Sequence, residues 1–168
     1  MNKPNLTDIA HRSAGKTGVL LMNLGSPDAP TGPAIRRYLA QFLGDPRVVE
    51  LPRALWLPIL YLFIVPLRPK RLAHAYGSIW MDEGSPLTVY SQRQAIKLKT
   101  ALARQYGQDV PVALAMTYGN PSVETAIAEL EQQGVRRLVV LPLYPQYSGS
   151  TTAACYDAVF AEVQKRRW

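Results

Sequence analysis

Short apolar runs alternate along this chain with amphipathic stretches, in a repeating strand, turn and helix rhythm. Residues 17–23 are a branched apolar run, the pattern of a strand buried on both faces. Leu24-Gly25-Ser26-Pro27 breaks it with a turn. Thr31 stands where an N-cap is wanted and Pro33 where a helix begins. Ile35, Leu39 and Phe42 recur on one helical face, and Gly44 supplies a stop. Residues 68–80 read as helical, with Leu72, Tyr76 and Ile79 on one face. A loop follows over 82–86. Thr88 is placed to cap a helix that runs to about Tyr106, with Ala95, Leu98 and Leu102 along its apolar side. The second strand spans 110–116 and ends in Thr117-Tyr-Gly-Asn-Pro121. Asn120 and Pro121 are placed to start the next helix, Val123, Ile127 and Leu130 give its inner face, and Gly134 ends it.

A third apolar run begins at Leu138 and breaks after Pro142 into Tyr144-Pro-Gln-Tyr-Ser-Gly-Ser-Thr-Thr152. A helix over about 151–165 comes next, with Tyr156, Phe160 and Val163 sharing a face. Three such units predict a parallel sheet with helices on both faces, an α/β fold. The chain stops on a helix, so a fourth strand is either missing or lies beyond residue 168. The three loops leave the same edge of the sheet, where open α/β sheets bind ligands. They bring hydroxyls, tyrosine rings and helix N-termini, which suit a flat apolar ligand bearing an anion.

Residues 51–67 do not fit the rhythm. Fourteen residues between Arg53 and Arg68 carry no charge, too few for a membrane span of ~20 residues. Pro58 and Pro66 are expected to interrupt any helix there. A helix packed on the core is one reading. An exposed lip touching a membrane surface or a large apolar ligand is the other, favoured by Trp56, Tyr61 and the flanking Arg53, Arg68, Lys70 and Arg71. On pattern the two weigh equally.

With 168 residues, 48% of them hydrophobic, the chain suffices for one domain. The formal net charge of +7 serves solubility or an anionic partner. The basic residues are dispersed, and nucleic-acid-binding motifs are lacking, so no nucleic acid is expected. Cys155 is the single cysteine, which excludes an internal disulfide and suits a reducing cytoplasm. Residues 1–16 are polar and read as a flexible N-terminal tail without a secretory core. His11 and His74 are too few and too scattered for a metal site. The first unit lacks the GxGxxG fingerprint of a dinucleotide site, and no serine sits in a GxSxG elbow. Near the loops the carboxylates are Asp28, Asp82 and Glu83, and no general base is evident.

Four motifs, in order, resemble the ferrochelatase family, which inserts ferrous iron into a porphyrin to make haem. They are Gly18-Val-Leu-Leu-Met-Asn-Leu-Gly-Ser-Pro-Asp-Ala-Pro30, Tyr76-Gly-Ser-Ile-Trp-Met-Asp-Glu-Gly-Ser-Pro-Leu87, Met116-Thr-Tyr-Gly-Asn-Pro121 and Leu141-Pro-Leu-Tyr-Pro-Gln-Tyr-Ser-Gly-Ser-Thr-Thr152. The resemblance implies a Rossmann-like three-layer domain over 17–168, one of two similar halves enclosing a porphyrin cleft. It implies that the C-terminal half is absent, and with it the family's metal-insertion histidine and a later glutamate. No catalytic or metal-binding residue therefore carries over, and the chain is expected to be inactive alone, either truncated or partnered by a separately encoded second half.

Porphyrin-contacting positions that carry over are Leu24, Thr117, Tyr118, Tyr76, Ser85, Tyr156 and Arg68, the last toward a propionate. Tyr147 and Ser148 stand in the fourth motif, on the same cleft wall. Thr117 replaces a basic residue of other members. The resemblance makes 51–67 the apolar lip of the cleft, with peripheral membrane contact on a cytoplasmic protein. Substrates would be ferrous iron and protoporphyrin IX. Some members hold an iron–sulfur cluster, but Gly149 occupies its first cysteine position, so no cofactor is expected here. A non-catalytic porphyrin- or haem-binding module and a non-functional fragment are the alternatives.

Overall fold

The computed structural model describes residues 15–168. Apart from Gly15 and Lys16, the expected tail lies outside the described residues, as does His11. Three strands, β1 (Lys16–Asn23), β2 (Val112–Met116) and β3 (Val135–Pro142), form a parallel sheet in the order β2-β1-β3. The helices are α1 (Gly32–Phe42), α2 (Arg53–Ile59), α3 (Val65–Ile79), α4 (Pro86–Tyr106), α5 (Val123–Gln132) and α6 (Ala154–Arg166). The arrangement is α/β, as the alternation predicts, and Rossmann-like, as the resemblance implies.

β1 is the central strand because both of its faces are apolar. Leu20 and Met22 join Ala113 and Ala115 on one face, covered by Ile127 and Leu130 of α5 and by Cys155 and Val159 of α6. Val19 and Leu21 join Leu114 and Met116 on the other, covered by Ala95, Leu98 and Leu102 of α4. Leu20, Leu21 and Met22 are completely buried. Each contributes roughly 1.5–3 kcal/mol of burial free energy. Pairing of Leu21 with Leu114 on one side and Leu141 on the other sets the register.

The outer strand departs from expectation. β3 starts at Val135 rather than Leu138, and it is not buried on both faces. Leu138 and Val140 pack into the α5–α6 core, whereas Val139 and Leu141 are exposed. An apolar run marks a strand, but only the helices actually laid over it decide which side is covered, and α4 lies over β1 and β2.

Several local assignments also shift. Ser85, not Thr88, caps α4, its Oγ accepting the Thr88 N–H at 3.2 Å. Ser122, not Asn120, caps α5 by accepting from the Thr125 N–H at 3.2 Å, and the Asn120 side chain donates instead to Asp28 at 2.8 Å. Thr31 holds the N-cap position of α1 without a side-chain bond. On α6 the buried face is Ala154, Cys155, Val159 and Glu162, so Tyr156 and Phe160 stack on each other away from the core, ring centres 6.2 Å apart.

Pro58 and Pro66 do not break the helical path. A π-helical turn, Leu60–Ile64, joins α2 to α3, with the Val65 N–H reaching back to the Leu60 carbonyl. Such a turn absorbs the missing donor of a proline. This run packs on α1 through Leu72, Ala73 and Tyr76, and Trp56 Nε1 donates to the Leu43 carbonyl at 2.7 Å. Leu60 and Val65 are buried, while Leu55, Leu62, Phe63 and Leu67 are exposed. The stretch is therefore part core helix and part exposed lip.

Candidate functional site

The three loops meet at the carboxyl edge of the sheet. The Thr117 N–H donates to the Asn23 carbonyl at 2.9 Å, Tyr118 N–H to Leu24 at 3.0 Å, and Leu143 N–H to Met22 at 2.7 Å. Gly25 makes the approach possible. Its φ is 104°, and a Cβ there would stand 1.7 Å from the Tyr118 carbonyl oxygen. Only glycine tolerates both.

Above this floor lies an open cavity of about 530 Å³, lined among others by Asp45, Arg53, Tyr61, Thr117, Tyr118 and Asp157. That volume is within the ~300–1,000 Å³ usual for small-molecule sites. Tyr118 belongs both to this lining and to a cluster of rings packed behind it. Tyr118 meets Phe42 edge-on at 5.3 Å, and Phe42 stacks on Tyr38 at 5.8 Å. Tyr38 OH donates to the Gly25 carbonyl at 3.2 Å, and Tyr118 OH donates to Asp45 Oδ2 at 2.7 Å. Burial, aided for Tyr118 by the Asp45 carboxylate, raises the pKa of both phenols well above the ordinary value. They remain neutral donors.

Behind Thr117 sits a second buried group. Thr117 Oγ1 donates to the Asn23 carbonyl at 3.2 Å and lies 3.0 Å from Cys155 Sγ, so the thiol is the donor in that pair. Tyr144 OH is buried beside them without a well-formed hydrogen bond. Burial raises the Cys155 and Tyr144 pKa values. Cys155 is a packed thiol, not a thiolate. Among the described residues, no three His, Cys, Asp or Glu side chains gather to hold a metal ion.

Of the residues singled out in the sequence, Leu24, Tyr76 and Tyr118 come together in the ring cluster, and Thr117 and Tyr118 line the cavity. Ser85 is 4% exposed, and its hydroxyl is engaged with both the Thr88 N–H and Thr88 Oγ1. It borders a separate depression of about 310 Å³ together with Trp80 and Asn120. Ser148 pairs with Ser150 at 3.2 Å, and Tyr147 is exposed. Tyr156 is half-buried on α6 and Arg68 is exposed on α3, neither lining the cavity.

Sequence reading missed Asp45, Arg53 and Asp157 as lining residues and Arg47 beside them. The signals were faint: an aspartate before proline just after a helix stop, and an aspartate in the first turn of the last helix. Of the three carboxylates it named instead, two have partners elsewhere, Asp28 with Arg37 and Asn120, and Glu83 with Arg93; Asp82 lines none of the cavities described.

Fold and cavity define the class: a parallel α/β domain with an open cavity, lined in part by Tyr61 and Tyr118, at the carboxyl edge of its strands. The family model for ferrochelatase matches residues 16–168. The chain belongs to the ferrochelatase family. A ferrochelatase of Marinobacter nauticus is 51% identical over 158 residues, covering 94% of this chain and 43% of that protein. For those of Sodalis glossinidius and Bordetella pertussis the identities are 59% and 56%, covering 88% and 86% of this chain but 42% and 40% of theirs. The chain thus spans less than half the length of these curated relatives.

Proposed function

We propose that this chain forms the porphyrin-holding half of a cytoplasmic ferrochelatase, inserting substrate ferrous iron into protoporphyrin IX. The observation that carries the reading is the ring-lined cavity at the carboxyl edge. Tyr118 and Tyr61 line it and offer ring surface to a macrocycle, with Phe42 packed behind Tyr118. Leu24, Thr117 and Tyr118 lie where the loops converge, and Arg53 in the lining, with Arg68 farther out, gives the site a positive field that favours an anionic ligand. A bed that fits a bent ring better than a flat one would favour the metallation transition state.

The described residues hold the ring, and in the unliganded chain both carboxylates that line the cavity are already engaged. Tyr118 stays neutral, Cys155 stays protonated, Asp45 is committed to Tyr118 and Asp157 to Arg47. Proton acceptance would fall to a second half, supplied in the same protein or separately.

The test is a porphyrin titration alongside a metal-insertion assay. The folded chain should shift the Soret band of protoporphyrin yet insert neither iron nor zinc alone. Supplying the remaining part of the Marinobacter relative in trans should bring insertion. Robust insertion by the chain alone would overturn the need for a second half. Porphyrin binding that stays inactive after complementation would favour a non-catalytic porphyrin-binding module, and a folded chain that leaves the Soret band unmoved would sink the porphyrin reading itself.

The exposed Leu55, Leu62, Phe63 and Leu67, flanked by Arg53, Arg68, Lys70 and Arg71, support a peripheral membrane contact in the same protein. None of the described helices is long and apolar enough to cross a membrane.

A further inference from the structure

Arg47 and Asp157 are 110 positions apart in sequence and pair beside the cavity, which Asp157 lines. Arg47 Nε donates to Asp157 Oδ2 at 2.6 Å, and Nη2 donates to Oδ1 at 3.1 Å. This is the two-pronged fit of a guanidinium on a carboxylate. The backbone beneath it is fixed. Asp45 Oδ1 accepts the Arg47 N–H at 2.7 Å, and Asp45 Oδ2 accepts Tyr118 OH at 2.7 Å. The arginine is thereby tied to a phenol of the cavity wall. Asp45 and Asp157 themselves line the cavity.

The fork is built but weakly held. The two side chains are 43% and 53% exposed, so water and other carboxylates can compete for the arginine. Asp157 is itself half exposed, so water takes up its carboxylate when its partner leaves. The other arginines nearby differ. Arg53 donates to the Gly44 carbonyl, and Arg68 lies out on α3 away from the lining.

We propose that Arg47 is the receptor for a carboxylate of the cavity's ligand, and that Asp157 is its internal stand-in, holding the guanidinium in place until the ligand's carboxylate takes over the fork. The identity of that ligand as a porphyrin rests on the proposed function. The exchange makes Asp157 a competitor, so its removal should strengthen binding where loss of a merely structural ion pair would weaken it or change nothing.

The experiment titrates the full chain with deuteroporphyrin, which has two free carboxylates, and with its dimethyl ester, both in the same nonionic detergent, following porphyrin fluorescence. Asp157→Asn should tighten the diacid about two- to fivefold and leave the ester unchanged. Arg47→Ala should weaken the diacid about five- to tenfold and spare the ester. In the Arg47→Ala background, Asp157→Asn should have no further effect, which separates competition for Arg47 from a general loss of negative charge. Unchanged or weaker diacid binding by Asp157→Asn, or equal changes for both ligands, would overturn the proposal. If neither porphyrin binds the wild-type chain, the functional reading fails and this inference with it. If both bind but the variants do not discriminate, only this inference fails. Both residues are exposed, and matching thermal transitions will establish that the variants fold.

Discussion

Tyr118 links most of the site's parts. It is 5% exposed, packs on Phe42, and places its hydroxyl on Asp45 while its backbone pairs with Leu24. Tyr118→Phe keeps the ring and loses only the hydrogen bond. It should cost about 1 kcal/mol of stability in urea denaturation, since Asp45 can recover water. Cys155 makes a second prediction. Burial raises its pKa relative to the unfolded thiol, so its stabilising contribution is complete below the unfolded value, about 8.5, and is lost as pH rises toward and through the folded one. At pH 8 the native thiol should resist iodoacetamide and react readily in denaturant. Fast alkylation of the folded chain would contradict the packing. For Asp157 the sign is opposite. Its hydrogen bond to Arg47 lowers its pKa, so any contribution is present above the usual carboxylate range and lost as pH falls through the folded value. NMR titration of the carboxyl group should place its midpoint below about 3.9.

At the scale of elements, the chain's own pattern located the three described strands and most helices, because short apolar runs and a period of 3.6 survive in the order of residues alone. Boundaries and faces fared less well. Thr88 and Asn120 have the right chemistry for caps, but Ser85 and Ser122 reach the orphan N–H groups. The difference is where the backbone turns, which depends on the preceding loop. Ser85→Ala should therefore cost about 1 kcal/mol of stability by denaturant titration, within the usual range for a lost cap, and Thr88→Ala distinctly less. The faces of β3 offer a parallel test. Leu20→Ala in β1 should cost roughly 2–5 kcal/mol, whereas Val139→Ser on the exposed side of β3 should stay within about 0.5 kcal/mol. A large penalty at Val139 would mean that its face is covered in solution.

Across the whole molecule, the lip and the cavity lie close together, for Tyr61 lines the cavity while its neighbours Leu62 and Phe63 are exposed. Vesicles containing anionic lipid should blue-shift the tryptophan emission of the chain and retain it on sedimentation, and Phe63→Glu should abolish both. Equal binding by that variant would remove the lip from the interface. The sequence by itself determined the parallel α/β fold, the convergence of three loops on one edge, and the family, because all of these are written in local periodicity and in contiguous motifs. It also pointed to Leu24, Tyr76, Thr117 and Tyr118, which lie within or beside such motifs. Only the tertiary structure decided that residues 51–67 divide between core and surface, that Ser85 is committed to a helix cap, and that Asp45 and Asp157 line the cavity with Arg47 bridging them. The reason is physical. A salt bridge between residues 110 positions apart leaves no mark on either neighbourhood of the chain, and it exists only once α1, α6 and the sheet edge have packed.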